Sequence, residues 1–386
     1  MKNCNRTVYN IKFKGKENRM KFPNFRAGTV LNAIEGTVKT KVNPRLKEIE
    51  LFYPCRLDAM AINPAGVVYN EQLKFTPGEV AISIALGIYV RIKVLSDNGD
   101  NILISETSKR KVLISHACRI MFKALNVFPS IEVDVRDDNV LKHCGFGSST
   151  ATISAVAVAI NEIYGKPIST QLLARYLANN HGEEICDSNE EFLKSVQSIG
   201  GSACSGMNNG GIFVIAGNAT VIAKMKYKAD VLIAIPKDFK EKDASLLMDL
   251  EEQNLWKFKK TGDLYKDSIA YFILHKALPD MINQDLTGLS NIVFDYRFNM
   301  GSIENCDFTY EGLGQLANSI KSLYLDKHCN MLSLSSVGPA FFVVTKNKKD
   351  KDYCIKYLKS KNFNIRETHI FNTKYKIIEK KVWDEK

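Results

Sequence analysis

The chain is poor in the features that mark several large function classes. Its nine cysteines are scattered and odd in number, and no Cys-x-x-Cys pair occurs, which argues against a disulfide framework and against a zinc site. Six histidines are equally dispersed, with no two at metal-ligand spacing. No segment reaches the ~18 uninterrupted apolar residues of a spanning helix. The longest apolar run, Thr150 to Ile160, is broken by Thr152 and Ser154. The N-terminal "MKNCNRTVYNIKFKGKENRMKF" has basic residues without an apolar block behind them, so no secretory signal is expected and the expected location is the cytoplasm. Internal repeats and low-complexity tracts are absent too. From Phe192 through Ala229 there is not one Asp or Glu.

What is present describes an ordinary folded chain. At 386 residues, 45% hydrophobic and 25% charged, it suits two domains. The formal charge of +11 fits nucleic acid or an anionic small molecule. The basic residues are spread out, however, and their densest runs, "KNKKDKD" and "IIEKKVWDEK", read as solvated turns and a tail. No RNA-binding signature with interleaved aromatics accompanies them, so a small anion is expected and neither nucleic acid nor membrane is.

Residues 1–48 read as a polar N-terminal extension without assignable elements. "EIELFYPCRLDAMAI" then alternates like a strand entering the interior, and a Pro-Gly turn feeds a β-rich stretch from Val80 to Leu95. Val112 to Leu125 has helical period, and "SIEVDVRDD" alternates as a strand that leads into a Gly-rich turn. A buried helix follows from near Ser149 to Gly165, with Pro167 just beyond its end. "SVQSIGGSACSGMNNGGIFVIAG" reads as a second tight glycine-serine turn entering a strand at Ile212. Residues 240–330 read as mostly helical, and Ser335 to Pro339 as a third tight turn between strands. The order predicts two α+β halves with the Gly turn near their junction, divided as 49–225 and 226–386.

Chemistry concentrates in these turns. In Gly145-Phe146-Gly147-Ser148-Ser149-Thr150, glycines let the backbone approach a ligand closely, and successive N–H groups at a helix start face an anion. The hydroxyls of Ser148, Ser149 and Thr150 can donate to phosphate or ligate Mg²⁺. The spacing is neither the Gly-Lys-Ser/Thr of Walker A nor the dinucleotide Gly-x-Gly-x-x-Gly. Arg56 and Asp58, two apart on one strand, share a face. Buried, they form an ion pair; facing a cleft, Arg56 clamps an anion and Asp58 orients a substrate N–H or hydroxyl. Ser202, Ser205 and Gly206 in the second turn, and Ser335, Ser336 and Gly338 in the third, are candidate ligand contacts.

The Gly turn resembles the phosphate loop of the GHMP superfamily, Pro-x-x-x-Gly-Leu-Gly-Ser-Ser-Ala, with Leu141 in place of the proline and Phe146 in place of the leucine. Many GHMP kinases carry Ser-Gly-x-Asp after the loop helix, whose aspartate is the base toward the substrate hydroxyl, and the acid-free stretch here departs from that pattern. Five stretches in order resemble the β-ribofuranosylaminobenzene 5′-phosphate synthase family and its C-nucleoside-forming relatives: "YPCRLDAMAINPAG", "PGEVAISIAL", "KHCGFGSSTAT", "GGSACSGMNNGGIFVIAG" and "LSLSSVGPAFFVVT". They span residues 50 to 345. Ser149 and Val337 depart from that family's glycine and tryptophan, and residues 1–48 have no counterpart in it.

The resemblance implies a GHMP-kinase-like fold that joins C1 of 5-phosphoribosyl 1-diphosphate to a ring carbon of an aromatic or heteroaromatic acid, releasing pyrophosphate and CO₂. It implies Mg²⁺ as cofactor and makes His143, with Arg56 and Asp58, a candidate catalytic residue. Ser149, Glu183 and Glu184 are the candidate metal ligands it suggests, and a homodimer is expected. A small-molecule kinase on the same fold, or a non-catalytic binder of a phosphorylated metabolite, are the alternatives.

Overall fold

A computed structural model describes residues 24–33, 42–67, 78–138, 144–185, 191–195 and 200–383. In chain order the strands are β1 (Asn24–Arg26), β2 (Leu46–Ala61), β3 (Glu79–Ser96), β4 (Asn98–Ile104), β5 (Phe128–Asp137), β6 (Gly182–Glu184), β7 (Phe192–Ser195), β8 (Ile212–Ala216), β9 (Thr220–Met225), β10 (Asp230–Pro236), β11 (Met331–Leu334), β12 (Phe341–Thr345), β13 (Phe363–His369) and β14 (Lys376–Val382). The helices are α1 (Lys111–Leu125), α2 (Ser148–Ile163), α3 (Thr170–Asn179), α4 (Gly201–Met207), α5 (Ala244–Phe272), α6 (Leu278–Ile282), α7 (Thr287–Phe294), α8 (Leu313–Ile320), α9 (Ser322–Leu325) and α10 (Lys348–Ser360).

One sheet follows the path β14-β2-β3-β5-β4, with β8 and β9 attached through β3. The length of β3 makes this possible. Its first half, Glu79 to Ile82, pairs with β8, and its second half, from Ile88, pairs with β5. Only β4 and β5 run parallel within it. Alternation in β5 sends Ile131, Val133 and Val135 into the core and Glu132 to solvent, as period 2 requires. A second, antiparallel sheet has the order β11-β12-β10-β13. The C-terminal strand β14 returns to the first sheet and pairs with β2. A third, small sheet orders β1-β7-β6.

Every residue of α2 is buried, which is why its alanines and valines run all the way round. It packs against β2, β3, α1 and α4 beneath the first sheet. The part of the N-terminal extension that the structure describes is built into this layer. Phe25 and Ala27 are core residues, the Gly28 N–H donates to His116 Nδ1 at 2.9 Å, and the Leu31 and Asn32 N–H groups donate to Asn180 Oδ1. A separate cluster around Phe341, Phe363, Leu358 and Leu332 lies under the second sheet. Among the described residues no helix is long and apolar enough to cross a membrane.

Candidate active site

Strand β2 carries Arg56 and Asp58 between two register shifts, at Pro54/Arg56 and Asp58/Met60. Such irregularities re-aim side chains, and here they flank Arg56 and Asp58, the two charged residues in the otherwise apolar part of the strand from Leu51 on. Arg56 reaches two neighbours: its Nη1 donates to the Gly145 carbonyl at 3.1 Å, and its Nε stands 3.8 Å from Glu79 Oε1. The ion-pair partner of Arg56 is therefore Glu79, at the start of β3. Glu79 is fully buried. Both of its carboxylate oxygens, Asp58 Oδ1 and Arg56 Nε are buried without a hydrogen-bond partner. Burial and the neighbouring Asp58 charge push the Glu79 carboxyl up to about 8, against the opposing pull of Arg56.

The Gly turn lies on top of this cluster. Gly145 (φ 91°) and Gly147 (φ 62°) are in the left-handed region. A Cβ on Gly147 would come within 2.1 Å of Ser202 Oγ and 3.2 Å of Arg56 Cζ. Glycine is thus required twice, for the backbone angle and for the close approach. The Phe146 ring is buried and anchors the turn. The first α2 bond runs from the Ala151 N–H to the Gly147 carbonyl, and no side chain caps this end, so the N–H groups of the first turn face outward. Ser149 Oγ accepts from Arg110 Nη1, which adds a cation beside the helix start.

Two further segments close the site from behind. Ser335 Oγ donates to the Gly145 carbonyl at 2.7 Å and accepts from the Asp58 N–H at 3.2 Å, and the Ser336 N–H donates to the Asp58 carbonyl. Arg297, buried on its short π-turn (Asp295–Asn299), donates to the carbonyls of Asp58, Ala59 and Ser336 and to Ser302 Oγ. The stretch read as a second turn is instead the helix α4, which starts at Gly200 and Gly201. Ser202 Oγ donates to the Gly147 carbonyl at 3.2 Å. Ser205 Oγ bonds the Pro54 and Ser202 carbonyls, and Gly206 lies under the Tyr53 ring, so these two pack α4 onto β2.

Arg56, Asp58, Gly145, Phe146, Gly147, Ser148, Ser149, Thr150, Ser202, Ser335 and Ser336 are thereby brought together, with Gly338 just behind, where its N–H bonds the Ser335 carbonyl. Glu183 and Glu184 lie on β6, where Glu183 Oε1 is 3.3 Å from His181 Nε2. His143 lies outside the described residues. Three charged residues of the site escaped the sequence reading: Glu79, Arg110 and Arg297. Glu79 left a signal, being the one acid in "PGEVAISIAL". The two arginines left none: Arg110 stands in a polar stretch and Arg297 in an aromatic one, and nothing local ties either to the Gly turn.

Residues 112–213 match the family model described as "GHMP kinases N terminal domain". No curated protein matches the chain. Among solved structures, homoserine kinase from Cytophaga hutchinsonii is 12% identical with a TM-score of 0.56, over 88% of this chain and 100% of that one. Galactokinase from Lactococcus lactis in complex with galactose is 9% identical with a TM-score of 0.61, over 86% and 95%. Mevalonate diphosphate decarboxylase from Staphylococcus aureus is 15% identical with a TM-score of 0.58, over 86% and 98%.

The fold is that of the GHMP kinases.

Within this GHMP fold, Glu79 takes an informative place. A Cβ on Gly201 would fall 1.3 Å from Glu79 Oε1, so the carboxylate fills the space at the start of α4, inside the acid-free stretch. The carboxylate beside this stretch comes from β3. Among the described residues no group of three or more His, Cys, Asp or Glu side chains can hold a metal. Two orphaned carboxylates beside a phosphate-type loop nevertheless fit Mg²⁺, which is usually held by one or two carboxylates together with substrate phosphates.

Proposed function

We propose that the protein is a C-glycoside synthase acting on 5-phosphoribosyl 1-diphosphate and an aromatic or heteroaromatic carboxylic acid. One observation supports this reading above others. The five stretches that resemble the ribofuranosylaminobenzene phosphate synthases, spread from β2 to the turn before β12, meet at one point through direct contacts: Arg56 with Glu79 and Gly145, Ser202 with Gly147, and Ser335 with Gly145 and Asp58.

In this reading the outward N–H groups of Ser148 to Thr150, with Arg110 beside them, hold the diphosphate. Arg56 steadies the loop from below through the Gly145 carbonyl. The C1–O bond breaks with its electron pair leaving on pyrophosphate. The acceptor ring carbon bonds to C1, and the ring's carboxylate then departs as CO₂, returning its electrons to the ring. Asp58, with one unpartnered oxygen, orients a substrate hydroxyl or N–H. Burial and the Asp58 charge favour the protonated form of Glu79, and a divalent cation bound there would displace that proton. Mg²⁺, held by the phosphates with Asp58 and Glu79, would neutralise charge on the leaving diphosphate.

A second reading, an ATP-dependent small-molecule kinase, is favoured by Glu79 itself. Its carboxyl stands against Gly201, within the stretch where many GHMP kinases carry their aspartate, and a group titrating near 8 suits a general base. Side-by-side calorimetric titration with Mg²⁺ and either 5-phosphoribosyl 1-diphosphate or ATP separates the two. Binding of the ribosyl diphosphate alone, followed by release of pyrophosphate and CO₂ with one of a panel of aromatic acids, supports the synthase. Binding of ATP alone overturns it in favour of the kinase.

A further inference from the structure

Residues 244–282 form one continuous helical rod: α5, a π-turn at Ile273–Ala277, and α6. The π-turn directly precedes Pro279, whose ring crowds the carbonyl four residues back, and the wider turn relieves that clash. The inner face of the rod is buried through Leu255, Phe258, Ile269, Ile273, Ala277 and Met281. An outer face of such a helix is ordinarily polar. Here it carries Trp256, Leu264, Tyr271, Leu274 and Ile282, all between 61% and 80% exposed. At 3.6 residues per turn, widened through the π-turn, the five fall within an arc of roughly 100°.

The order of this stripe is palindromic. Counted from Ile269, Trp256 and Ile282 stand equally far on either side, and so do Leu264 and Leu274. The same centre pairs Asp263 with His275 and Asp267 with Tyr271. Ile269 itself is on the buried face, so a two-fold axis at its level passes through the middle of the exposed one. In an isologous contact residue i meets residue j and j meets i. Two copies of the rod laid antiparallel about that axis therefore put apolar against apolar and each aspartate against a hydrogen-bond donor. Lys260, on the same face, keeps its ammonium in water on its long stem. A parallel pairing would instead set Asp263 and Asp267 against their own copies, which repel.

We infer that this face is the interface of a two-fold homodimer in which the 244–282 rods pack antiparallel, centred on Ile269. The five side chains offer on the order of 600 Å² of apolar surface per copy, most of the ~800 Å² per partner of a standard interface. Trp256 and Tyr271 belong to the residue types that dominate binding energy.

The register makes the inference testable by charge complementation. Sedimentation equilibrium of the full chain at about 10 μM should give a dimer. Leu264→Lys and Leu274→Glu should each weaken it at least tenfold. The double variant should recover it, because each lysine then faces a partner's glutamate. Both positions are exposed, so every variant should keep the parent's far-ultraviolet circular dichroism spectrum, and the double variant its melting temperature as well. A monomeric parent chain, a dimer that survives both single substitutions, or a double variant that stays monomeric overturns the inference.

Discussion

Replacing Glu79 with glutamine tests the electrostatics of the site directly. The side chain is fully buried, lies 3.8 Å from Arg56 Nε and fills the space over Gly201. Its carboxyl is raised from 4.5 to about 8 by burial and by the charge of Asp58. Below pH 4.5 the group is protonated in both the folded and the unfolded chain and contributes no pH dependence. Between 4.5 and 8 the unfolded chain gives up this proton while the native state keeps it. The native state then binds more protons, and stability falls as pH rises. Above 8 both states are ionised and the loss is complete. At about 1.4 kcal/mol per tenfold change in proton affinity, the loss between pH 4.5 and 8 is on the order of 5 kcal/mol. Glu79→Gln keeps the shape and cannot ionise, so it removes this slope. Urea unfolding of the parent and the variant, followed at a series of pH values, should give midpoints that agree near pH 5 and diverge toward pH 9, with the variant the more stable. Other perturbed acids, such as the half-buried Glu251, whose carboxyl is pushed up to about 7 by desolvation and Glu183, act in both proteins and cancel in the difference. Parallel midpoint curves across the whole range would refute the burial argument.

Gly147→Ala places a methyl 2.1 Å from Ser202 Oγ at a φ of 62°, so the loop must shift. Calorimetry should show at least a tenfold loss of diphosphate affinity with the melting temperature lowered by only a few degrees. Arg297→Lys keeps the charge but cannot span the Asp58, Ala59 and Ser336 carbonyls and Ser302 together. It should lower the urea midpoint, with about 2–4 kcal/mol lost; an unchanged midpoint would mean that the turn before β12 holds its place without it.

Which parts of the molecule were legible in the sequence follows from how local their causes are. The loop at 145–150 was readable because left-handed glycines and a helix start are decided within a few residues. The strand bearing Arg56 and Asp58 was readable from its alternation, and the buried helix α2 from its composition. The helix α4 was misread as a turn because glycine, serine and asparagine disfavour helix locally. It forms because small residues let it press against Glu79 and Tyr53, distant in the chain. That is tertiary override of propensity.

Glu79 marks the deeper limit. A lone acid at the head of an apolar strand looks like a solvated strand end, and its meaning depends on Gly201, more than a hundred residues away. Read along the chain, the stretch from Phe192 to Ala229 lacks an acid and argues against general base chemistry. Read in space, the same stretch holds a carboxylate, because the missing side chain at 201 is what admits one from β3. The absence of an acid and the presence of a glycine are therefore one feature. Gly201 and Glu79 are interlocked, since a side chain at 201 and the carboxylate of Glu79 would occupy the same space. What such a carboxylate can do depends on where it sits relative to the loop, not on where it sits in the chain.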